Sequence, residues 1–550
     1  MTNTLLTLHD PKAARRYYEA GLWREDTFYT LVQKHAAERP NAPALRDATR
    51  RLSWVELLRA VDTVAADLDG AGLKRGERVA VWLPNRVEAV IVFLACSRQG
   101  YVCNPSLHQN YTVAEIVALL ERTNAAALFA QPGYGADAAR ADILAAASAL
   151  PFLRKIYSVG GDAAAPFPMN ADTVPPPAGD PDSVVYLAFT SGTTGTPKGV
   201  MHSANTLFAN ARAMVGDWGH DSSTVLLSLS PLSHHIATVA IAQAMHAGME
   251  LVVNSPPRGM TPLDWIVETG ATYVMGVPTH AMDILAEMRR RGLAKETEES
   301  LGKVKTFYMA GSVIPREVAQ AFLDRGVTPQ NVYGMSENSS HQYTLPSDSP
   351  ETIVATCGKA CAAYEIKLWD QENPDIEVLA GEVGEIAGRG ACLMLGYFDN
   401  QRATEDSFNR SGWFLSGDLG RLDRQGNLEI VGRKKDLIIR GGHNIHPARI
   451  EELAMRHKAV AKCAAFAVAD QRLGEKVCLS VIWHEGEGAE ADAMLAHLSA
   501  EGLSKYDMPE YFIALEAYPL TASGKILKRE LVEWAKSGRI APAPVRWTGG

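Results

Sequence analysis

Residues 184–199 read VVYLAFTSGTTGTPKG, and this stretch decides how the rest of the chain is to be read. Residues 184–189 form an apolar run of strand length, which predicts a buried strand. The run opens directly into Thr190, Ser191, Gly192, Thr193, Thr194, Gly195, Thr196, Pro197, Lys198 and Gly199. Four threonines and a serine supply hydroxyl donors. The glycines let backbone amides approach an anion closely, and Lys198 adds a point charge. These parts suit a polyphosphate. The stretch is not the P-loop G-x-x-x-x-G-K-[ST], whose spacing it lacks. A flexible Ser/Thr/Gly linker is the competing reading, but linkers rarely follow a buried strand so abruptly or end in Pro-Lys-Gly.

Outward from this segment, apolar runs of strand length alternate with helical segments. Residues 78–83 (RVAVWL) predict a strand, followed by the Pro84-Asn85 breaker and a helix carrying Val87, Val90, Ile91 and Leu94. Further strands are expected at residues 126–129, 225–229 and 251–254. Continuous apolar strands separated by helices point to an α/β fold with parallel sheets covered on both faces. Loops are expected at residues 163–182 and 255–261, and a solvated turn at residues 295–300 (KETEES). A chain of 550 residues is too long for one core, so two or more domains are expected. From about Leu428 the texture changes to a basic run, GRKKD, a glycine pair and a tail of small-domain size with strands at residues 463–468 and 477–483. The boundary falls at that run, giving domains of residues 1–433 and 434–550.

Composition is ordinary, with 47% hydrophobic and 21% charged residues. A net charge of −9 disfavours nucleic acid as a partner, since phosphate neutralisation needs a basic surface. One local loop can still hold a nucleotide. The seven cysteines are scattered and contain no C-x-x-C, which reads as small buried hydrophobes in a reducing, cytoplasmic setting. Residues 1–16 contain Asp10 and lack an apolar core, so no secretory signal is expected, and the apolar residues 89–96 are too few to span a bilayer. No G-x-S-x-G supports a serine hydrolase. His234-His235 could suggest a metal, but no second ligand cluster accompanies them.

The segment TSGTTGTPKG resembles the signature of the adenylate-forming superfamily, which includes acyl-CoA synthetases, luciferases and peptide-synthetase adenylation domains. Tyr333-Gly334-Met335-Ser336-Glu337 resembles its Y-G-x-T-E segment, with serine for threonine. An aromatic ring can stack on a purine, and a carboxylate can hold magnesium against phosphate oxygens. The resemblance accordingly implies that Tyr333 stacks on adenine, Ser336 meets the α-phosphate and Glu337 binds Mg2+. Ala310-Gly311-Ser312 resembles the small-residue turn beside adenine. Residues 413–419 (WFLSGDL) resemble W-F-x-T-G-D, which implies that Asp418 accepts hydrogen bonds from the ribose. In the G-R-x-x-D match Arg433 also reaches the ribose, Lys435 is the hinge, and Lys434 reads as a solvated turn residue. Residues 440–447 (RGGHNIHP) resemble the loop lining a pantetheine tunnel, with Gly441 and Gly442 as its narrow wall. Arg449 replaces an acidic residue usual nearby. Residues 519–528 (PLTASGKILK) resemble P-x-T-x-S-G-K, which implies that Lys525 bridges the acid's carboxylate and the α-phosphate. His234, in SPLSHHIA, takes the position of the acyl-pocket wall, and Ile236-Ala237 depart from a glycine common there.

Taken together, the resemblance implies a large N-terminal domain of layered sheets and helices with a smaller, mobile α+β C-terminal domain. It implies a ligase that uses ATP, Mg2+ and coenzyme A to turn a small carboxylic acid into an acyl-adenylate and then a thioester. Thr190, Ser336, Glu337 and Lys525 would be its catalytic residues. The texture of SPLSHH, MAGSVIP and IIRGGHNI is most similar to cyclohexanecarboxylate–CoA ligases and to medium-chain and aromatic acid ligases. Two alternatives stay open: delivery to a carrier-protein phosphopantetheine, and a non-catalytic nucleotide-binding relative. Assembly as a homodimer is also open.

Overall fold

The computed structural model describes residues 5–160, 173–190, 197–293, 301–521 and 526–547. Its first two sheets lie back to back with helices between them. A nine-stranded sheet has a parallel centre made of Val225–Ser228, Glu250–Val253, Tyr273–Gly276, Thr306–Met309 and Thr328–Met335. A six-stranded sheet runs parallel through Lys155–Ser158, Ala127–Ala130, Arg78–Trp82, Val102–Asn104 and Val184–Thr190.

Alternate side chains of each strand enter different cores, because successive residues of a strand face opposite sides of the sheet. Leu226, Leu251 and Tyr273 join Val79 and Val81 in the central core between the sheets. Leu227, Val252 and Val274 point the other way, onto helices Pro262–Thr269, Pro278–Arg290 and Arg316–Leu323. Ala80 and Trp82 likewise pack outward onto Val113–Thr123 and Ile143–Ser148. Burial on both faces is why these strands read as unbroken apolar runs. The central helix Val87–Gln99 is buried all round. Its buried Arg98 is held by Asp62 at 2.7 Å. Truncating Phe93 in this core to alanine would cost about 3–5 kcal/mol.

The expectation of parallel sheets holds only for these two centres. Val184–Thr190 pairs antiparallel with Lys198–Ser203, and Thr328–Met335 with Ser339–Tyr343. A four-stranded sheet of Tyr364–Trp369, Gly384–Gly390, Phe414–Leu422 and Leu428–Arg433 is antiparallel throughout. Connection length explains three of these pairs, since the links at 191–197, 336–338 and 423–427 are shorter than the dozen or so residues a parallel crossover needs; the links at 370–383 and 391–413 are not.

A three-residue 3₁₀ turn, Lys434–Asp436, follows and leads into the last sheet, which includes Ile438–Arg440, Val460–Asp470 and Gly474–Trp483. Here Val477 and Leu479 face helices Pro447–Met455 and Ala491–Ala500, while Cys478 and Phe466 face Lys528–Lys536. Ion pairs from this sheet's side to the large body include Arg456–Glu317 at 3.5 Å and Lys462–Asp283 at 3.9 Å. All seven cysteines are buried and carry no disulfide. Among the described residues, no helix is long and apolar enough to cross a membrane.

Candidate functional site

The predicted phosphate strand ends at Thr190, whose register partner across the hairpin is Lys198. Ser191, Gly192, Thr193, Thr194 and Gly195 lie outside the described residues, as does Lys525. What is described is the stem, and it is braced by a segment that the sequence reading did not single out. Residues 395–398 run along Lys198–Ser203 through Leu395 N–H to the Met201 carbonyl at 2.8 Å and Phe398 N–H to the Gly199 carbonyl at 2.6 Å.

That brace delivers Tyr397. The Lys198 Nζ sits over its ring, 4.6 Å from the centroid, and its hydroxyl donates to Glu337 Oε1 at 2.9 Å. The stem cation and the proposed magnesium carboxylate are thereby brought to one phenol. Burial raises the Glu337 carboxyl above its ordinary value, opposed by the Tyr397 hydrogen bond and the Lys198 charge. A half-buried acid with one hydroxyl partner has lone pairs to spare, so the donor set fits a hard divalent cation.

Glu337 and Ser336 occupy the turn of the Thr328–Met335/Ser339–Tyr343 hairpin. The Asn338 side chain closes this turn by accepting from Met335 N–H at 3.0 Å. Gly334 has to be glycine here: a Cβ would stand 1.8 Å from the Ser339 carbonyl oxygen across the pair. His202, fully buried, donates from Nε2 to the Ser336 carbonyl at 2.6 Å. Because a carbonyl only accepts, that nitrogen carries the proton. Burial pulls this imidazole down to about 4, so it stays neutral. His202 positions the hairpin turn, a role that no local sequence signal announces.

Tyr333 lies at the other end of the segment. It is buried, and its hydroxyl donates to Asp418 Oδ2 at 3.2 Å. Asp418 and Arg433 are cross-strand partners, and Arg433 Nε meets Asp418 Oδ1 at 3.2 Å. The sequence-predicted ribose pair is therefore preassembled. Behind it, buried Glu385 accepts from Gly417 N–H at 3.1 Å and from Lys434 Nζ at 2.9 Å. Lys434 is exposed in the turn, as the sequence reading expected, and is also tied to Glu385 by this ion pair. Lys435 sits in the 3₁₀ turn beside it, its ammonium held below its ordinary value by burial and by Arg433.

Beside the turn of the Thr328–Met335/Ser339–Tyr343 hairpin lies a cavity of ≈ 110 Å³. Gly311, Gly334, Met335 and Ser336 line it, and so does His234, whose ring stacks on His108 at 4.4 Å. Gly311 takes φ +96°, as expected for a turn that side chains would block, while Ser312 is exposed. Gly441 and Gly442 belong to the terminal sheet instead, in the turn between Ile438–Arg440 and His443–Ile445, both with positive φ. No Cβ contact would arise within 4 Å at Gly442, so that face of the turn is open.

Comparison with known proteins identifies the family. A family model described as AMP-binding enzyme matches residues 32–398, and one for the AMP-binding enzyme C-terminal domain matches residues 449–525. The medium-chain fatty-acid–CoA ligase of Escherichia coli K12 is 29% identical over 540 residues, covering 95% of this chain and 93% of that one. The 2-hydroxy-7-methoxy-5-methyl-1-naphthoate–CoA ligase of Streptomyces carzinostaticus is 31% identical, with 96% of each chain covered. Among solved structures, ATP-bound MatB from Rhodopseudomonas palustris superimposes with a TM-score of 0.82 at 26% identity, over 94% of this chain and 100% of that one.

Proposed function

This chain belongs to the AMP-binding enzyme family, and on that premise we propose how its residues divide the work of an acid–thiol ligase. The reaction is ATP-dependent ligation of a carboxylic acid to coenzyme A through an acyl-adenylate. The acid's carboxylate attacks the α-phosphorus, pyrophosphate leaves, and the thiol then displaces AMP from the activated carbonyl. The observation that carries the assignment of roles is the Lys198–Tyr397–Glu337 chain, which joins a phosphate cation to a metal carboxylate next to Ser336 and the cavity.

In this proposal Thr190, loop residues 191–195 and Lys198 hold the triphosphate, and Ser336 meets the α-phosphate. A magnesium ion held by Glu337 would add positive charge against the phosphate oxygens. Asp418 and Arg433 take the ribose, and Tyr333, with Gly311, Ser312, Gly334 and Met335, takes the adenine side. Lys525 bridges carboxylate and phosphate during adenylation, offsetting two anions that otherwise repel. His234 walls the acid's pocket.

The division between domains is proposed at residues 433/434, with Lys435 as the hinge about which the small domain turns to bring Gly441-Gly442 over the thiol. Exposed ion pairs of 3.5 and 3.9 Å contribute little and do not oppose such a swing. The acid proposed is alicyclic, medium-chain or aromatic, the last two in keeping with the relatives' named substrates. The cytoplasm is proposed as its compartment, in keeping with seven unpaired thiols. A homodimer is the proposed assembly where one forms, and light scattering tests it.

The test is ATP–pyrophosphate exchange across aliphatic, alicyclic and aromatic acids, followed by thioester formation with free CoA or a phosphopantetheinylated carrier protein. Exchange with some acid and transfer to CoA is the expected result. Transfer to the carrier alone would replace CoA as acceptor, and exchange with none would leave a nucleotide-binding relative.

A further inference from the structure

The cavity beside Ser336 narrows the choice of acid, provided its His234 side is the acid's pocket as proposed above; its Gly311, Gly334 and Met335 side is the one given to adenine, so the acid has at most the whole volume. Its volume, ≈ 110 Å³, is below the roughly 150 Å³ of a cavity that takes benzene. A single ring is therefore the most it holds, and a medium alkyl chain outgrows it. No described lining residue is Asp, Glu, Lys or Arg, so nothing there would neutralise a second charge on the acid. Yet the lining is not simply apolar. Beside Ile236 and Val277 stand Tyr308, Ser339, Ser340 and His280. The Tyr308 hydroxyl and Ser340 Oγ are paired at 2.7 Å, and Ser339 Oγ is paired with His235 Nε2 at 3.0 Å. Those groups satisfy one another, and His235 Nδ1, also in the lining, is buried with no hydrogen-bond partner among the described residues.

His280 differs. It lies in the first turn of helix Pro278–Arg290, and its Nδ1 accepts the helix-capping hydrogen bond from Val277 N–H at 3.3 Å. An imidazole nitrogen that accepts carries no proton, so the neutral ring must hold its proton on Nε2. Burial lowers the affinity of this ring for a second proton, with Asp283 opposing, which keeps it in that neutral form. Nε2 has no partner among the described residues. Its helix cap therefore fixes both the orientation and the tautomer of His280, and turns it into a single neutral donor in the wall of the cavity.

We propose that the substrate is a single-ring acid bearing one uncharged hydrogen-bond acceptor, such as a phenolic oxygen, an ether or a ring nitrogen, and that His280 Nε2–H reads that acceptor. His280 is then a specificity residue. It touches the ring substituent and takes no part in the chemistry at the carboxylate.

The test compares each monohydroxybenzoate with the methylbenzoate substituted at the same position, so that size and place are matched and only the acceptor changes. Octanoate and isophthalate complete the panel, and the readout is kcat/KM in ATP–pyrophosphate exchange. For at least one position the hydroxy acid should exceed its methyl counterpart by about tenfold or more, as expected when a site that hydrogen-bonds one substituent meets an analogue lacking it. Octanoate and the dianion should fall below both. His280→Leu should collapse that ratio towards one. His280→Asn, which keeps an acceptor for Val277 and a donor for the ligand, should recover much of it and guards against a folding artefact. Octanoate as the best substrate, or an undiminished ratio in His280→Leu, overturns the proposal. The same acids are also tested for thermal stabilisation in the presence of ATP. If no acid supports exchange but hydroxybenzoates stabilise more than methylbenzoates, the pocket reading stands and the ligase reading falls. If no acid stabilises either, the pocket reading falls too.

Discussion

Replacing Asp418 by alanine separates a structural tie from a ribose contact, because the geometry sets a different size for each. In the protein without nucleotide the carboxylate serves Tyr333 Oη and Arg433 Nε, each at 3.2 Å. Losing the acceptor of the buried tyrosine should cost about 0.5–1.5 kcal/mol. The Arg433 side chain is 43% exposed, so its ion pair adds only about 0–1 kcal/mol. Unfolding stability should therefore drop by about 0.5–2.5 kcal/mol, measurable in urea. If the carboxylate also accepts from the ribose hydroxyls, charge-assisted bonds worth about 1.5–3 kcal/mol disappear from the nucleotide complex. At about 1.4 kcal/mol per decade, KM for ATP in the exchange assay should rise about ten- to a hundredfold. The KM for the acid should move far less. An ATP KM within about threefold of the parent, beside the full loss of stability, would reduce Asp418 to a tie between two neighbours and refute its ribose role.

Lys525→Ala should slow adenylation by at least about 10²–10³-fold while thioester formation from supplied acyl-AMP is affected far less; equal damage to both half-reactions, timed separately, counts against the bridging lysine. Lys435→Pro should stiffen the turn after Arg433 and harm the thiol step more than adenylation, and unchanged rates for both in pre-steady-state assays would remove the hinge. Glu337→Gln should cut pyrophosphate exchange about a hundredfold and blunt its response to added magnesium, and a magnesium titration matching the parent's would discard the metal role. His202 is held neutral in the fold, down at about 4 against 6.5 in a free chain. A base with a lowered folded pKa lends stability above 6.5 that is lost as pH falls towards 4, by roughly 3 kcal/mol at about 1.4 kcal/mol per unit. The melting temperature should fall through that window, and His202→Gln should flatten the fall; identical slopes dispose of the account.

The parallel centres of the two large sheets were legible because they are buried on both faces. The expected strand at residues 78–83 is Arg78–Trp82, and that at 251–254 is Glu250–Val253. The antiparallel sheet of residues 364–433 was not. Gly384–Gly390 reads GEIAGRG and Tyr364–Trp369 alternates exposed Glu365 with buried Leu368, so no apolar run betrays either strand. Strand ends were also lost where polarity rises: Val460–Asp470 extends beyond the expected 463–468 on both sides.

In the site, residues that bring their own local motif were found, and residues whose role comes from a distant neighbour were not. Tyr397 matters through Glu337, 60 positions away, and His202 through the carbonyl of Ser336, 134 positions away. His280 went unremarked for a different reason. Its cap lies three residues upstream, but the meaning of its far nitrogen depends on a cavity that only folding creates.

The burial of every natural cysteine has a practical consequence for watching the enzyme at work. A maleimide dye added to the native protein meets no surface sulfur, so the seven thiols need not be stripped out first. One cysteine introduced on an exposed helix on each side of the 434–436 turn would take a donor and an acceptor fluorophore. The rotation proposed between half-reactions could then be followed as a changing distance, one molecule at a time.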